Sequence, residues 1–221
     1  MTGTELVTTI RAELNEDVAQ LWTDPMFVKW INDGERDFVN RTRILEGVST
    51  LSLQAGRLDY PIPTGCLSFK SVWVKVVNGD IYEWRRLWPT TLEKMGQDQS
   101  NPLQTAVAYR ADPKKYWLWD RHIYVHPAPL TDGQLVQVFH KRKPTPLTAL
   151  TDSLNVDGSM SDTIKAYVLW RAWSKEKEYD MAAVCKEEYF SGVRDGLRWV
   201  KKQTGDFVYS VDARSSTPIS R

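Results

Sequence analysis

Leu67-Ser68-Phe69-Lys70-Ser71-Val72-Trp73-Val74-Lys75-Val76, then Asn78-Gly79, then Ile81-Tyr82-Glu83-Trp84-Arg85-Arg86-Leu87, is the stretch whose reading settles the fold. Apolar and polar residues alternate along much of both runs, which is the period of a strand and not of a helix. Asn-Gly between them is a strong hairpin signal, because both central positions of the favoured turn take positive φ. A long β-hairpin is predicted. Outward from it, Val48–Gln54 alternates through Leu51 and Leu53, and Leu58-Asp59-Tyr60 runs into the fixed turn Pro61-Ile62-Pro63-Thr64-Gly65. Pro89–Gly96 reads as a short helix with Thr90 and Glu93 at capping-box spacing. Further strands are expected near Ala106–Arg110, Tyr116–Trp119, Arg121–Val125 and Leu135–His140. Residues 48–147 therefore predict a small, strongly twisted antiparallel β module.

On either side the period changes to that of a helix. Leu6, Ile10 and Leu14 recur every four residues, with Val7 and Val18 widening the stripe. A second helix is expected to open at Asp24-Pro25, with Asp as N-cap and Pro at the first helical position, and to end near Gly47. Phe27, Trp30, Ile31, Gly34 and Phe38 form its apolar face, and Lys29, Asp33, Arg36 and Asp37 its polar one. After the loop Pro144–Ser161, Ser159 and Asp162 have capping-box spacing, and Ile164, Tyr167, Val168, Ala172 and Trp173 form a stripe. A last helix over Asp180–Lys202 places Met181, Val184, Cys185, Tyr189, Val193, Leu197 and Val200 inward. Residues 203–221 show no period and are rich in Ser, Thr, Asp and Pro, so they predict an extended arm reaching at most about 60 Å. Neither helical half can close a core alone. The expected fold is thus α+β. Helices of 1–47 and 148–202 pack as one bundle, the β module of 48–147 is inserted, and a C-terminal arm spans 203–221.

Composition bounds the function. The 221 residues carry 29 Lys+Arg against 28 Asp+Glu, with 42% hydrophobic and 26% charged residues, which is globular and not disordered. No apolar run approaches the length of a membrane span, and the start shows no basic head and apolar run of a secretion signal. Two cysteines make no disulfide framework. The near-zero net charge hides an asymmetry: residues 1–47 hold 5 basic and 9 acidic residues, whereas 48–147 hold 13 and 8. One reading is ordinary variation between solvated faces; the other is that identical subunits meet with acidic and basic modules side by side. Ten tryptophans are the unusual number, and tryptophan concentrates in cores and in buried interface anchors.

No pattern specifies catalysis. His122 and His126 share a strand face about 13 Å apart, too far to hold one metal, and His140 has no evident companion. Ser153–Ser159 only imitates a calcium loop: its first position is Ser, and Ile164 falls where a bidentate Glu is required. Glu187-Glu188 reads as the solvent side of a helix, and there is no glycine-rich phosphate loop, nucleophile elbow or C-x-x-C pair. No enzyme, metal or cofactor is expected. Arg85-Arg86, Lys114-Lys115 and Lys141-Arg142-Lys143, interleaved with Trp84, Trp88, Trp117 and Trp119, form either a single-stranded nucleic-acid platform or a rim around tryptophans packed on protein.

Leu21-Trp22-Thr23-Asp24 with Val28-Lys29-Trp30-Ile31-Asn32-Asp33-Gly34-Glu35-Arg36-Asp37-Phe38 resembles the opening helices of phage portal adaptors, the head-to-tail connector proteins. Tyr60-Pro61-Ile62-Pro63-Thr64-Gly65-Cys66-Leu67, Tyr124-Val125-His126-Pro127-Ala128-Pro129 and Ile164–Glu176 are similar, in order, to that family's later motifs. The resemblance covers about 20–200. It implies a structural virion protein of the neck, made in the host cytoplasm and forming a homo-oligomeric ring, usually of twelve copies, below the portal. The ring would join capsid to a downstream tail or nozzle protein, pass genomic DNA without sequence-specific binding, aid genome retention and ejection, and involve no membrane. It further implies that Phe207, Val208, Tyr209, Val211, Arg214 and Ile219 of the arm anchor on the portal. A wall that does not grip DNA should be neutral or acidic, which favours the acidic helices near the lumen. The tryptophans divide accordingly: Trp22, Trp30, Trp170 and Trp173 are expected in the helical core, and Trp84, Trp88, Trp117, Trp119 and Trp199 at subunit or tail contacts. The alternatives are a single-stranded nucleic-acid-binding module using the basic aromatic β face, and a virion-borne cell-wall hydrolase with carboxylates assembled in space.

Overall fold

A computed structural model of the chain describes residues 1–16, 21–78, 81–97, 103 and 105–203. In chain order the elements are α1 (Gly3–Glu13), α2 (Asp24–Thr42), β1 (Glu46–Ser52), β2 (Asp59–Pro61), β3 (Cys66–Asn78), β4 (Ile81–Pro89), α3 (Leu92–Gln97), β5 (Lys115–Trp119), β6 (His122–His126), β7 (Leu135–Arg142), α4 (Ser161–Glu176) and α5 (Tyr179–Gln203). Two compact units result: Met1–Leu45 with Lys143–Arg221, and Glu46–Arg142.

In the helical unit, α1 opens with a complete capping box: Glu5 N–H donates to Thr2 Oγ1 and Thr2 N–H donates to Glu5 Oε2. Eleven residues are too few for a stable isolated helix, so packing must hold it. Leu6, Val7 and Ile10 are buried for that purpose, stabilising by roughly 1.5–3 kcal/mol each. In α2 the predicted apolar face is the buried face, comprising Phe27, Trp30, Ile31, Gly34 and Phe38. Its ends differ from expectation. Thr23 is the N-cap, Asp24 is already helical, and its carboxylate takes Arg11 at 3.0 Å instead of a backbone donor. The helix stops at Thr42 on Arg43, which adopts φ 54°; Gly47 lies in β1.

A 3-10 turn over Gly158–Met160 leads into α4, and Asp157, not Ser159, caps that turn through Ser159 N–H. Helix α4 packs on α5, α2 and α1. The inward face of α5 is Ala182, Cys185, Tyr189, Val193 and Gly196, whereas Met181, Val184 and Leu197 are exposed, against expectation. Small residues explain the shift. A Cβ on Gly192 would collide with Thr163 of α4, and one on Gly196 would come 2.8 Å from the Phe38 ring of α2. The close approach required there turns α5 toward its glycine-bearing side. Trp22 and Trp30 are buried as expected, while Trp170 and Trp173 are half-buried.

The β unit is a curled seven-stranded sheet of order β1-β7-β3-β4-β5-β6-β2. Its hairpin is the predicted one, with Asn78 paired to Ile81. Three expectations are corrected. The sheet is not wholly antiparallel, because β4 and β5 run parallel through Trp88–Lys115 and Pro89–Tyr116. Val107–Tyr109 is a 3-10 turn and not a strand. Thr91, not Thr90, caps α3, accepting from Lys94 N–H at 3.3 Å.

Candidate interaction surface

Strand alternation places the β-unit side chains on two faces, and the register identifies each. Val72, Val74, Val76, Leu87, Tyr116, Ile123, Val125, Val136 and Val138 form one buried cluster on the inner face. The residues between them must face outward. On β3 and β4 the cross-strand pairs are Trp73–Arg86, Lys75–Trp84 and Val77–Tyr82; Trp88 pairs with Lys115 across β4 and β5. On β5 and β6 they are Lys115–His126, Trp117–Tyr124 and Trp119–His122. The outer face of four neighbouring strands thus carries all five tryptophans of the unit, two tyrosines and three cations. None of these positions holds a carboxylate.

Exposure sorts these residues. Trp88 and Trp119 are 64% and 63% exposed, Trp84 is 37%, and Trp117 is only 4%. Trp117 lies flat on Tyr124, with ring centroids 5.2 Å apart and planes 12° from parallel. Its indole is used within the unit. The Arg86 guanidinium sits 5.6 Å over the Trp88 ring, and Lys75 Nζ 3.9 Å over Tyr82. Such stacking orients a cation without neutralising it. Along β4 every residue from Ile81 to Arg86 is exposed and only Leu87 is buried. A bare stretch of this aromatic content marks a contact surface.

Of the five tryptophans predicted at contacts, four share this face, and Trp199 stands on α5 of the helical unit, 40% exposed. The arm residues Phe207, Val208, Tyr209, Val211, Arg214 and Ile219 lie outside the described residues. Lys141 departs from the expected basic rim, since Glu46 Oε1 holds it at 2.6 Å and Lys70 at 3.2 Å. These two bonds, led by that from Lys141, hold the Glu46 carboxyl below its usual value against the opposing effect of burial.

Catalytic chemistry finds little support. His122 Nδ1 lies 2.8 Å from Asp120 O, and His126 Nδ1 is buried without a hydrogen-bond partner. Burial, reinforced by the Lys115 charge, lowers the His126 pKa and favours a neutral ring. A groove of about 610 Å³ beside Phe69, Tyr116 and Trp117 exposes part of Cys66, but burial pushes that thiol up and leaves it a weak nucleophile. Among the described residues, no three His, Cys, Asp or Glu side chains gather as a metal site, and no helix is long and apolar enough to cross a membrane.

One internal residue escaped the sequence reading. Glu35 is fully buried, accepting from Asn155 N–H at 2.7 Å, Asn155 Nδ2 at 2.9 Å and Val156 N–H at 3.2 Å. Asn155 also exchanges hydrogen bonds with the Thr145 backbone, so the carboxylate ties the loop before α4 to α2. The available signal was position: Glu35 follows Ile31 by four residues and precedes Phe38 by three, placing a charge on the apolar face.

The β unit thus presents an exposed aromatic face suited to contact with another molecule. The SU10 adaptor protein family matches residues 1–216, and the chain belongs to that family. No curated protein matches the sequence.

Proposed function

We propose that this protein is a structural component of the virion neck, forming a ring of twelve copies below the portal. In this role it joins capsid to tail and continues the DNA channel, so that its work is assembly, genome retention and passage at ejection, without catalysis. The family match over residues 1–216 carries the reading. The uncovered aromatic face of the β unit supports it, since Trp88 and Trp119 are costly to leave in water and suited to anchoring a partner. Phe207, Val208, Tyr209, Val211, Arg214 and Ile219 would dock on the portal. Native mass measurement of the purified chain, alone and with purified portal protein, tests the proposal. A defined oligomer that depends on residues 203–221 for portal attachment is expected. A chain that stays at its 25.5 kDa monomer mass with and without portal refutes it.

A further inference from the structure

Helix α5 has a second face. Ala182, Cys185, Tyr189, Val193 and Gly196 are buried, yet Met181, Val184 and Trp199 are 49%, 55% and 40% exposed. These three fall in one line with Glu188 and Asp195, at successive spacings of three, four, seven and four residues, which is a single helical stripe. Glu188 is exposed, and Asp195 is exposed with only Arg198 beside it at 2.9 Å. Apolar groups flank carboxylates along the stripe. The outer face of β3 and β4 is its chemical complement: Trp73, Trp84 and Trp88 interleaved with Lys75 and Arg86, and no acid among these cross-strand positions.

We infer that the outer β face of one copy receives the Met181–Trp199 stripe of α5 from a second copy of this chain. A helix laid on a sheet needs an apolar strip about one helix wide, which the exposed indoles of Trp84 and Trp88 on β4 provide. Arg86 and Lys75, held over Trp88 and Tyr82, sit beside that strip, and no neighbouring cross-strand position on β3 or β4 of that face is a carboxylate. In a contact that excludes water, such cations require anions from the partner. Glu188 supplies one, and Asp195 a second that Arg198 of its own helix shares. The two surfaces differ, so the contact is head-to-tail and repeats from copy to copy, as closure into a ring requires. The inference rests on the ring reading for its closure, but names a contact which that reading does not.

Reciprocal charge reversal in the full-length chain tests it. One variant carries Lys75→Glu with Arg86→Glu, the other Glu188→Lys with Asp195→Lys. Arg86, Glu188 and Asp195 are exposed and Lys75 is half-buried, and unchanged circular dichroism verifies folding. Each variant alone is expected to fall from the wild-type oligomer to the 25.5 kDa monomer. Their equimolar mixture is expected to recover the oligomer, because alternation restores opposite charges at every contact. The inference is overturned if both variants assemble like wild type, if the mixture fails to recover, or if the wild type is itself a monomer throughout the accessible concentration range. It is also overturned if Lys75→Glu with Arg86→Glu abolishes salt-sensitive oligonucleotide binding and leaves the mass unchanged, since the face then serves nucleic acid. Assembly of both variants into portal-bound rings would sink this contact and leave the ring reading standing. Failure of the wild type to assemble with portal would sink both.

Discussion

Replacing Glu35 by Ala should destabilise the helical unit more than any surface change. The carboxylate accepts two backbone N–H groups, from Asn155 and Val156, and the Asn155 side-chain amide, all within 3.2 Å. Truncation leaves the two backbone donors without an acceptor. Each unsatisfied buried donor costs about 1–3 kcal/mol, and removing one member of a buried charged network costs about 3–5 kcal/mol. We expect a loss of about 3–5 kcal/mol, a large part of the stability of an ordinary domain. With a urea slope of about 2–3 kcal/mol/M, the midpoint should fall by about 1–2.5 M. Far-ultraviolet circular dichroism follows the helices, and hydrogen exchange at Asn155 and Val156 reports the loop itself. Glu35→Gln is the discriminating control: one oxygen still accepts both backbone donors, while the Asn155 side-chain amide loses this acceptor and keeps the Thr145 carbonyl. That variant should cost about 1–2 kcal/mol. A Glu35→Ala midpoint within about 0.2 M of wild type would refute the latch, and a Glu35→Gln loss equal to that of Ala would refute the argument from acceptors.

Tyr189 O–H donates to Asp37 Oδ2 at 2.6 Å, so Tyr189→Phe should cost about 1–2 kcal/mol by thermal melting. Burial alone would raise the Asp37 carboxyl, but hydrogen bonds from Arg41 and Tyr189 outweigh it and hold the group below its ordinary value of 3.8. Its stabilisation is therefore complete above that value and is lost as pH falls through the lower folded value; the acid-side slope of stability should shrink in Asp37→Asn. His126 acts higher on the pH scale. Because burial and Lys115 lower its folded pKa, the unfolded chain binds the proton first, and stability should decline as pH falls below 6.5, an effect that His126→Gln removes. Gly192→Ala gains about 1 kcal/mol of helix propensity but drives a methyl into Thr163; overpacking should win by about 1–2 kcal/mol, read as a lowered melting temperature.

Local order was legible wherever one period governed a segment. The alternation of β3 and β4 around Asn78-Gly79 and the apolar face of α2 required only neighbours in sequence. Where partners from distant segments decided the outcome, the sequence reading failed in a physically consistent way. The face of α5 was misplaced because hydrophobicity ranks Met181 and Val184 above Gly196, whereas close packing against Phe38 ranks them the other way. Asp24 was read as a cap because nothing local shows Arg11 taking its carboxylate. The parallel β4–β5 pairing is invisible to strand periodicity, which carries no direction. Glu35 was assigned to neither face of α2, because its donors lie some 120 residues away. The outer β face was legible only in part. Spacing places Trp117 and Trp119 on the same side, but the cross-strand stack on Tyr124 that covers Trp117 depends on the β5–β6 register.

The charge asymmetry takes on a different meaning once partners are known. The nine acids of residues 1–47 suggested a bare acidic surface suited to a channel wall. Each described one has work inside its own unit. Glu16 and Asp24 hold Arg11, Asp33 holds Arg36, Asp37 holds Arg41 and Tyr189, and Glu13 holds Lys165. Glu5 caps α1, Glu35 is buried, and Glu46 bridges two lysines of the β unit. An acid already beside a cation contributes little field to an approaching chain at physiological salt, because the opposite charges cancel within a Debye length. Negative charge with less local compensation is found instead along α5, at Glu187 and Glu188, which are exposed on a helix whose outer stripe is partly apolar. Composition therefore pointed to α1 and α2 as the acidic partner for a basic face, whereas the pairing pattern points to α5. The same reasoning leaves Lys75 and Arg86 as cations that the outer β face does not itself compensate, and charge reversal at those two positions should be felt first by another molecule.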